Sequence, residues 1–412
     1  MMLPLGGLAD KVMHIVMWCA WGAGGFVLLA LAFVLWNLRL LVLRYRLGKF
    51  FDGGGLATVY RHDGPTGTVH IRPRIWGRKT TLWGYRFYIR TANGLTWEDL
   101  TEQANALAQH LKVAEVKIEP TERPGCAIVS AYTRDPAPES FSLSNFLSTK
   151  EMDLNQSTGV AGVPIGRKDD GSTFKVSLGH TLIVGATGSG KGSLLWTYLI
   201  GAQSLLANQG LKLYGWDPKH AELAGVKGER FERIAFDPGE GLALLQVLVI
   251  EMRNRQALGL RSFTPGPQMP FILLVIDEFN SLMTSADAAW RKDVRENLHA
   301  LLSQGRSAGI YIVAAAQQPQ KESIGDYRQH FMNRICLRVE TAIETDMVLG
   351  AGSVEAGAKS HLIAPATESN GYRTAGIGYA RSDSEPIPVR FRAPKVTDDD
   401  ILTWCAGKDS NE

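Results

Sequence analysis

The stretch that decides the fold is Gly179-His-Thr-Leu-Ile-Val-Gly-Ala-Thr-Gly-Ser-Gly-Lys-Gly-Ser-Leu-Leu195. Its apolar run, Thr181 to Val184, is typical of a buried parallel strand. The glycine-rich turn that follows lets backbone N–H groups approach phosphate oxygens closely, and Lys191 adds a positive charge. Apolar residues then recur at helical spacing, so the phosphates would lie at a helix N-terminus. The predicted phosphate site comprises Gly185, Ala186, Thr187, Gly188, Ser189, Gly190, Lys191, Gly192 and Ser193.

One position of this turn departs from the pattern G-x-x-x-x-G-K-[ST]. The residue that should supply a hydroxyl to Mg²⁺ is Gly192, and the nearest hydroxyl belongs to Ser193, one residue later. We therefore expect Ser193 to be the hydroxyl ligand of Mg²⁺. A glycine-rich turn that binds nothing is the structural alternative, and the strand, the lysine and the helix together make it the weaker interpretation.

A second apolar strand, Phe271-Ile-Leu-Leu-Val-Ile276, ends in the two acids Asp277 and Glu278. The carboxyl ends of parallel strands border the crevice in which ligands bind. Asp277 is the expected carboxylate partner of Mg²⁺, and Glu278 is expected to polarise the water that attacks ATP. A solvated pair of acids at a strand end is the structural alternative.

Two further polar residues are candidates for catalysis. Gln317 follows the apolar strand 309–316, where an amide would sense the γ-phosphate or the attacking water; capping a neighbouring loop is its alternative role. Arg334 precedes another apolar run and is a candidate arginine finger for a neighbouring subunit, with an ordinary salt bridge as the alternative. The predicted catalytic residues are Lys191, Asp277, Glu278, Gln317 and Arg334, and the predicted metal ligands are Ser193 and Asp277.

Composition limits the possible classes of protein. A chain of 412 residues exceeds one compact core, and a formal net charge of +3 is too small to identify a nucleic-acid partner by itself. The four cysteines lie far apart without C-x-x-C spacing, which argues against a zinc site and a disulfide framework.

The N-terminal segment has the pattern of a membrane anchor. No Asp, Glu, Lys or Arg occurs between Lys11 and Arg39, and residues 12–38 are mostly apolar, enough for one tilted helix across roughly 30 Å of hydrocarbon. Basic residues crowd the C-terminal flank, which predicts a single-pass protein of the cell membrane with its bulk in the cytoplasm. A signal peptide, the alternative, would need a basic start and a small-residue cleavage site, and neither is evident.

The remaining chain is predicted to form two folded units. The first combines alternating strands with a helix that begins at a capping box, Thr96-Trp-Glu-Asp99, typical of a small α+β domain. In the second, strands and helices alternate, which predicts an α/β parallel sheet with helices on both faces. The predicted boundaries are 1–50 for the anchor and its basic flank, 51–135 for the membrane-proximal domain, 136–155 for a linker, 156–395 for the α/β domain and 396–412 for a C-terminal tail.

Several motifs resemble, in order, the motor of the FtsK/SpoIIIE DNA translocases. The resemblance covers about residues 155–392, and it implies a RecA-like P-loop ATPase that uses ATP and Mg²⁺. It also implies a hexameric ring, assembled head to tail, that pumps double-stranded DNA. Two departures from the family pattern are Gln318, where an arginine is usual, and Gly192. The matching motifs are Gly185-Ala-Thr-Gly-Ser-Gly-Lys191, Trp216-Asp-Pro-Lys-His-Ala-Glu-Leu223, Ile250-Glu-Met-Arg-Asn-Arg255, Ile276-Asp-Glu-Phe279, Arg306-Ser-Ala-Gly-Ile310 and Ala316-Gln-Gln-Pro319.

The resemblance predicts a membrane-anchored translocase for conjugal DNA transfer or DNA segregation, similar to compact FtsK-type proteins of actinobacterial plasmids and integrative elements. A type VII secretion-like ATPase for protein export is one alternative, but such proteins carry several ATPase modules and the phosphate turn occurs once here. A type IV coupling protein for single-stranded DNA is another, yet the roughly eighty residues between Ser193 and Phe271 leave no room for its helical insertion. Candidate DNA-gripping residues, all of which could be plain surface charges, are Arg253, Arg255, Arg261, Lys321 and Arg328.

Overall fold

The computed structural model describes residues 38–53, 58–61, 68–81, 83–91, 95–133, 139–147, 162–202, 210–226, 230–259, 263, 265–283, 287–320, 324–382, 385 and 387–406. The chain divides into two compact units, residues 1–136 and 137–412. The predicted anchor, residues 12–38, lies outside the described residues except for Leu38. In the part of the chain that is described, no helix has both the length and the hydrophobicity needed to cross a membrane.

The first unit contains a four-stranded antiparallel sheet in the order β3-β4-β6-β5, with helices packed on it. The predicted capping box is confirmed, because Asp99 N donates to Thr96 Oγ1 (3.3 Å) and Thr96 N donates to Asp99 Oδ2 (2.7 Å). The elements are α1 (38–53), β1 (Thr58–Arg61), β2 (Thr68–Ile71), β3 (Arg74–Thr81), β4 (Gly84–Arg90), α2 (Trp97–Glu102), α3 (Ala104–Leu111), β5 (Glu115–Pro120) and β6 (Cys126–Tyr132).

Helix α1 extends this unit beyond the boundary expected at residue 51. Leu43, Leu47 and Phe51 recur every four residues and therefore lie on one face of the helix. All three side chains are buried in the core that the sheet forms with α2 and α3. The stretch expected to be only a basic flank thus also supplies a packing face.

The second unit is built on a ten-stranded sheet in the order β11-β10-β12-β13-β9-β14-β15-β16-β7-β8. The strands from β11 to β14 run parallel, and those from β15 to β8 are antiparallel to their neighbours. The strands are β7 (Gly162–Lys168), β8 (Thr173–Ser177), β9 (Thr181–Val184), β10 (Leu211–Trp216), β11 (Phe231–Ala235), β12 (Phe271–Ile276), β13 (Ile310–Ala316), β14 (Asn333–Cys336), β15 (Ile377–Arg381) and β16 (Val389–Arg392).

Both faces of this sheet are covered, as the alternating pattern predicted. Leu182 and Val184 of β9 join one hydrophobic core, whereas Ile183 between them joins the other. Successive side chains of a strand point to opposite faces, so two separate cores require packing on each side. The covering helices are α4 (Leu143–Leu147), α5 (Lys191–Gly201), α6 (Pro238–Ala257), α7 (Ala288–Gln304), α8 (Ala342–Leu349) and α9 (Asp398–Cys405).

Two segments expected to lie outside the α/β domain contribute to it. Helix α4 falls within the predicted linker, and its Leu143 and Phe146 are buried in the core beneath β7 and α5. Helix α9 falls within the predicted tail, and Trp404 packs edge-to-face on Trp196 with ring centroids 6.0 Å apart. A few apolar side chains in otherwise polar stretches therefore suffice to attach both segments.

Candidate functional site

The phosphate turn joins β9 to α5 at the carboxyl edge of the parallel strands. Gly185 N donates to Ala316 O (3.1 Å) and Ala186 N donates to Arg338 O (2.9 Å), so the end of β13 and the segment after β14 hold the start of the turn. Gly190 immediately precedes the helix with φ of +91°, a conformation that costs little only for glycine. The backbone therefore follows the course expected of a phosphate-binding turn at a helix N-terminus.

Asp277 reaches the turn across an intervening strand. Strand β13 lies between β9 and β12, yet Lys191 Nζ donates to Asp277 Oδ1 at 3.2 Å. The two side chains are only 13% and 4% exposed. Burial raises the pKa of the Asp277 carboxyl, and the neighbouring Lys191 opposes that rise. The lysine and the acid of the two predicted motifs thus form one largely buried ion pair.

Glu278 adopts a backbone conformation that is unusual for its residue type. Its φ is +61°, and such strain in a non-glycine residue is concentrated at functional sites. The side chain is 5% exposed and accepts a hydrogen bond from Lys219 Nζ at 3.0 Å. The carboxylate expected to activate water is therefore paired with a lysine.

The other predicted catalytic residues lie in different surroundings. Gln317 is exposed directly after β13, the strand between those that carry Lys191 and Asp277, so its backbone lies at the same edge of the sheet. Arg334 lies in β14 opposite Arg381 of β15, with its guanidinium beside Gly350 at the end of α8. Its role as a finger for a second subunit stays a prediction.

Ser193 has a different contact from the one expected of a metal ligand. Its hydroxyl accepts a hydrogen bond from Val396 N at 3.4 Å, on the segment between β16 and α9. Successive residues of a helix point about 100° apart, so position 193 faces a different direction from position 192. The geometry therefore does not favour Ser193 as the Mg²⁺ ligand that the sequence suggested.

The loop after β10 supplies two charged residues, Lys219 and Glu222, for which the sequence alone predicted no role. Asp217 is fully buried and accepts hydrogen bonds from Lys219 N (3.2 Å) and Leu223 N (2.9 Å), which fixes the loop at both ends. The loop brings Lys219 to Glu278, and Glu222 to the first turn of α5. In the sequence, the only indication that Lys219 and Glu222 matter was the motif 216–223. That motif was part of the family resemblance, but no function was predicted for it.

The structure corrects one of the candidate DNA-gripping residues, Arg255. Arg255 is buried, and its Nη1 donates to Pro270 O (2.8 Å) and Ala308 O (3.0 Å), so it is a structural residue. Arg328 donates to the carbonyls of Asp346 and Met347 in α8. Arg253 is exposed, whereas Arg261 and Lys321 lie outside the described residues.

The residues of this edge fit a nucleotide accompanied by Mg²⁺. Ser189 Oγ is buried within the turn without a hydrogen-bond partner in the described part of the chain, and a buried hydroxyl of this kind calls for one. No three His, Cys, Asp or Glu side chains among the described residues converge to hold a metal ion by themselves. Mg²⁺ at nucleotide sites is typically held by one or two carboxylates together with phosphate oxygens. Asp277 is placed to be such a carboxylate.

Comparisons with known proteins agree with this geometry. Residues 143–264 match the family model described as "FtsK/SpoIIIE family". The DNA translocase FtsK of Sporosarcina ureae is 26% identical over 346 residues, which are 77% of this chain and 42% of that protein. The DNA translocase FtsK of Chlamydia trachomatis serovar D is 24% identical over 348 residues, 76% of this chain and 40% of that protein. The chain thus spans less than half the length of these relatives.

A solved structure of a conjugation coupling protein shares the fold of this chain. The conjugation coupling protein TcpA of pCW3, in its monomer form with ATPγS, is 20% identical with a TM-score of 0.50, over 80% of this chain and 90% of that one. The cytoplasmic domain of the type VII secretion ATPase EccC of Thermomonospora curvata is 26% identical with a TM-score of 0.44, over 57% of this chain and 29% of that one. With its phosphate turn and its mostly parallel sheet, the second unit has the architecture of a P-loop ATPase domain, and over residues 143–264 it is similar to the FtsK/SpoIIIE family.

Proposed function

We propose that this chain hydrolyses ATP and uses the energy to move double-stranded DNA. The observation that carries the proposal is the pairing of Lys191 with Asp277 at 3.2 Å, with Glu278 as the next residue. A phosphate turn, an acid for the metal and an acid for water are thereby brought to one edge of the sheet. Together they are the set of groups that ATP hydrolysis needs.

The chain's own residues perform the binding and proton-handling steps. The backbone N–H groups of 185–192 bind the phosphates, and Lys191 moves from Asp277 to the phosphate oxygens. Asp277 would help to hold Mg²⁺, which when bound would neutralise the phosphate charge. Glu278 leaves Lys219, with which it is paired in the structure, and it then orients the attacking water and accepts its proton.

DNA as the substrate is supported by the relatives, which are named DNA translocases; that the DNA is double-stranded is our own proposal, from the resemblance of the motifs. We extend the proposal to a hexameric ring in which Arg334 acts on the neighbouring subunit. Residues 12–38 would anchor the ring in the cell membrane, with the motor in the cytoplasm and with conjugal transfer or segregation of DNA as its role. Support for the anchor is the uncharged apolar run between Lys11 and Arg39.

ATPase rates of the purified full chain with double-stranded DNA, single-stranded DNA or no DNA test this proposal. We expect double-stranded DNA to stimulate hydrolysis most, and Lys191→Ala to remove hydrolysis under all three conditions. Stimulation only by single-stranded DNA would favour a coupling protein of the type IV kind. Hydrolysis that no DNA stimulates would favour protein export.

A further inference from the structure

The helix position that lacks the expected hydroxyl is filled by another side chain. A Cβ added to Gly192 would lie 2.7 Å from Glu222 Oε2 and closer still to Oε1. Such distances are too short for a real Cβ, so any side chain at position 192 would displace the carboxylate. The space left by the missing serine or threonine is therefore taken by Glu222.

Glu222 is held at this position by its own loop. Asp217, fully buried, accepts a hydrogen bond from Leu223 N, the residue directly after Glu222, at 2.9 Å. The side chain of Leu223 is itself completely buried in the hydrophobic core. The backbone at Glu222 is thereby fixed, and its carboxylate is presented to the first turn of α5.

Glu222 and Asp277 both lie at the first turn of α5. Lys191, the first residue of this helix, donates a hydrogen bond to Asp277 Oδ1 at 3.2 Å, and the Glu222 carboxylate lies against Gly192, the next residue. Two carboxylates beside one ammonium group leave an excess of negative charge, which a divalent cation would neutralise.

We propose that Glu222 replaces the missing hydroxyl of the phosphate turn: together with Asp277, its carboxylate holds the Mg²⁺ that accompanies the nucleotide. Position 192 is a glycine so that this carboxylate can approach. Ser193, engaged by Val396 N, is not part of the metal site. The inference rests on the proposed ATPase function, because the phosphates of the nucleotide complete the coordination that the protein does not supply by itself.

Metal affinity, measured separately from turnover, tests this assignment. Mn²⁺ serves as the paramagnetic probe, and its affinity for the full chain saturated with ATPγS is followed by electron paramagnetic resonance. The variants are Glu222→Gln, which keeps the size of the side chain, Glu222→Ala, and the double variant Gly192→Ser/Glu222→Ala. Glu296→Gln, an exposed residue of α7, is the matched control. ATPγS affinity in EDTA reports whether each variant keeps a folded phosphate site.

We expect Glu222→Gln and Glu222→Ala to weaken Mn²⁺ binding about 10- to 100-fold, with ATPγS affinity in EDTA unchanged. Gly192→Ser in the Glu222→Ala background should recover affinity, because it restores a hydroxyl where the carboxylate has been removed. Unchanged Mn²⁺ affinity in Glu222→Gln, or no recovery in the double variant, would overturn the assignment. Failure of the wild-type chain to bind ATPγS would instead overturn the proposed ATPase function.

Discussion

Glu278→Gln separates ATP binding from ATP hydrolysis. The change keeps the size of the side chain and removes its charge, and with it the ability to accept a proton from water. A positioned general base contributes about 10²- to 10⁴-fold to a rate, which corresponds to roughly 3 to 5 kcal/mol of activation free energy. We therefore expect Glu278→Gln to slow hydrolysis by that factor while ATP affinity is retained.

The stability of this variant should hardly change. Glu278 is 5% exposed, but its partner Lys219 is 47% exposed, so solvent screens the ion pair. An ion pair with one exposed partner contributes less than about 1 kcal/mol. Loss of activity in Glu278→Gln would thus report chemistry rather than unfolding, which urea denaturation checks.

Single-turnover experiments measure the rate at which bound ATP is hydrolysed. Equilibrium binding of a fluorescent ATP analogue measures the ATP affinity. Glu296→Gln makes the same chemical change on the exposed face of α7 and should behave as wild type. Glu278→Gln protein that hydrolyses bound ATP at the wild-type rate would refute the role of Glu278 as the base.

Three further predictions concern residues that determine the stability of the second unit. Gly241→Ala should destabilise the second unit by about 1 to 3 kcal/mol in urea denaturation, because an added Cβ would overlap the buried ring of Trp216; wild-type stability would contradict that packing. Burial, the main cause, lowers the pKa of His180 to about 3, from 6.5. Between these values the unfolded chain binds more protons, so stability is full above pH 6.5 and falls as the pH falls, by about 2 kcal/mol at pH 5. Urea denaturation of wild type and His180→Gln should show this pH dependence only in wild type, and an equal dependence in both would refute the assignment to His180. Arg255→Met should cost about 2 to 4 kcal/mol of unfolding free energy, because two buried carbonyls lose a charged donor, whereas exposed Arg253→Met should leave stability unchanged; equal losses in both would contradict a structural role for Arg255.

The sequence predicted those features that local patterns encode. The phosphate turn, the strand that ends in Asp277 and the capping box at Thr96 are each contained in a few consecutive residues. The spacing of glycines, charged residues and apolar residues within each motif is enough to predict these three features, without information from the rest of the chain. The parallel sheet covered on both faces followed from the same kind of regularity.

Features that depend on distant residues were not predictable in this way. Strand order placed β13 between the two motif strands, and no local pattern specifies that order. The contact of Lys219 with Glu278 joins residues 59 positions apart. The contact of Ser193 with Val396 joins residues 203 positions apart. Helix α4 lies in a polar stretch typical of a linker, and only the burial of Leu143 and Phe146 in the folded chain makes it part of the second unit.

Movement along double-stranded DNA is tested most directly by displacement of a triplex-forming third strand from a linear duplex. With ATP, the purified full chain should displace the third strand. With ATPγS, or with Lys191→Ala protein, the third strand should remain bound. ATP hydrolysis by the wild-type chain without displacement of the third strand would contradict translocation, and so would displacement by Lys191→Ala protein at the wild-type rate.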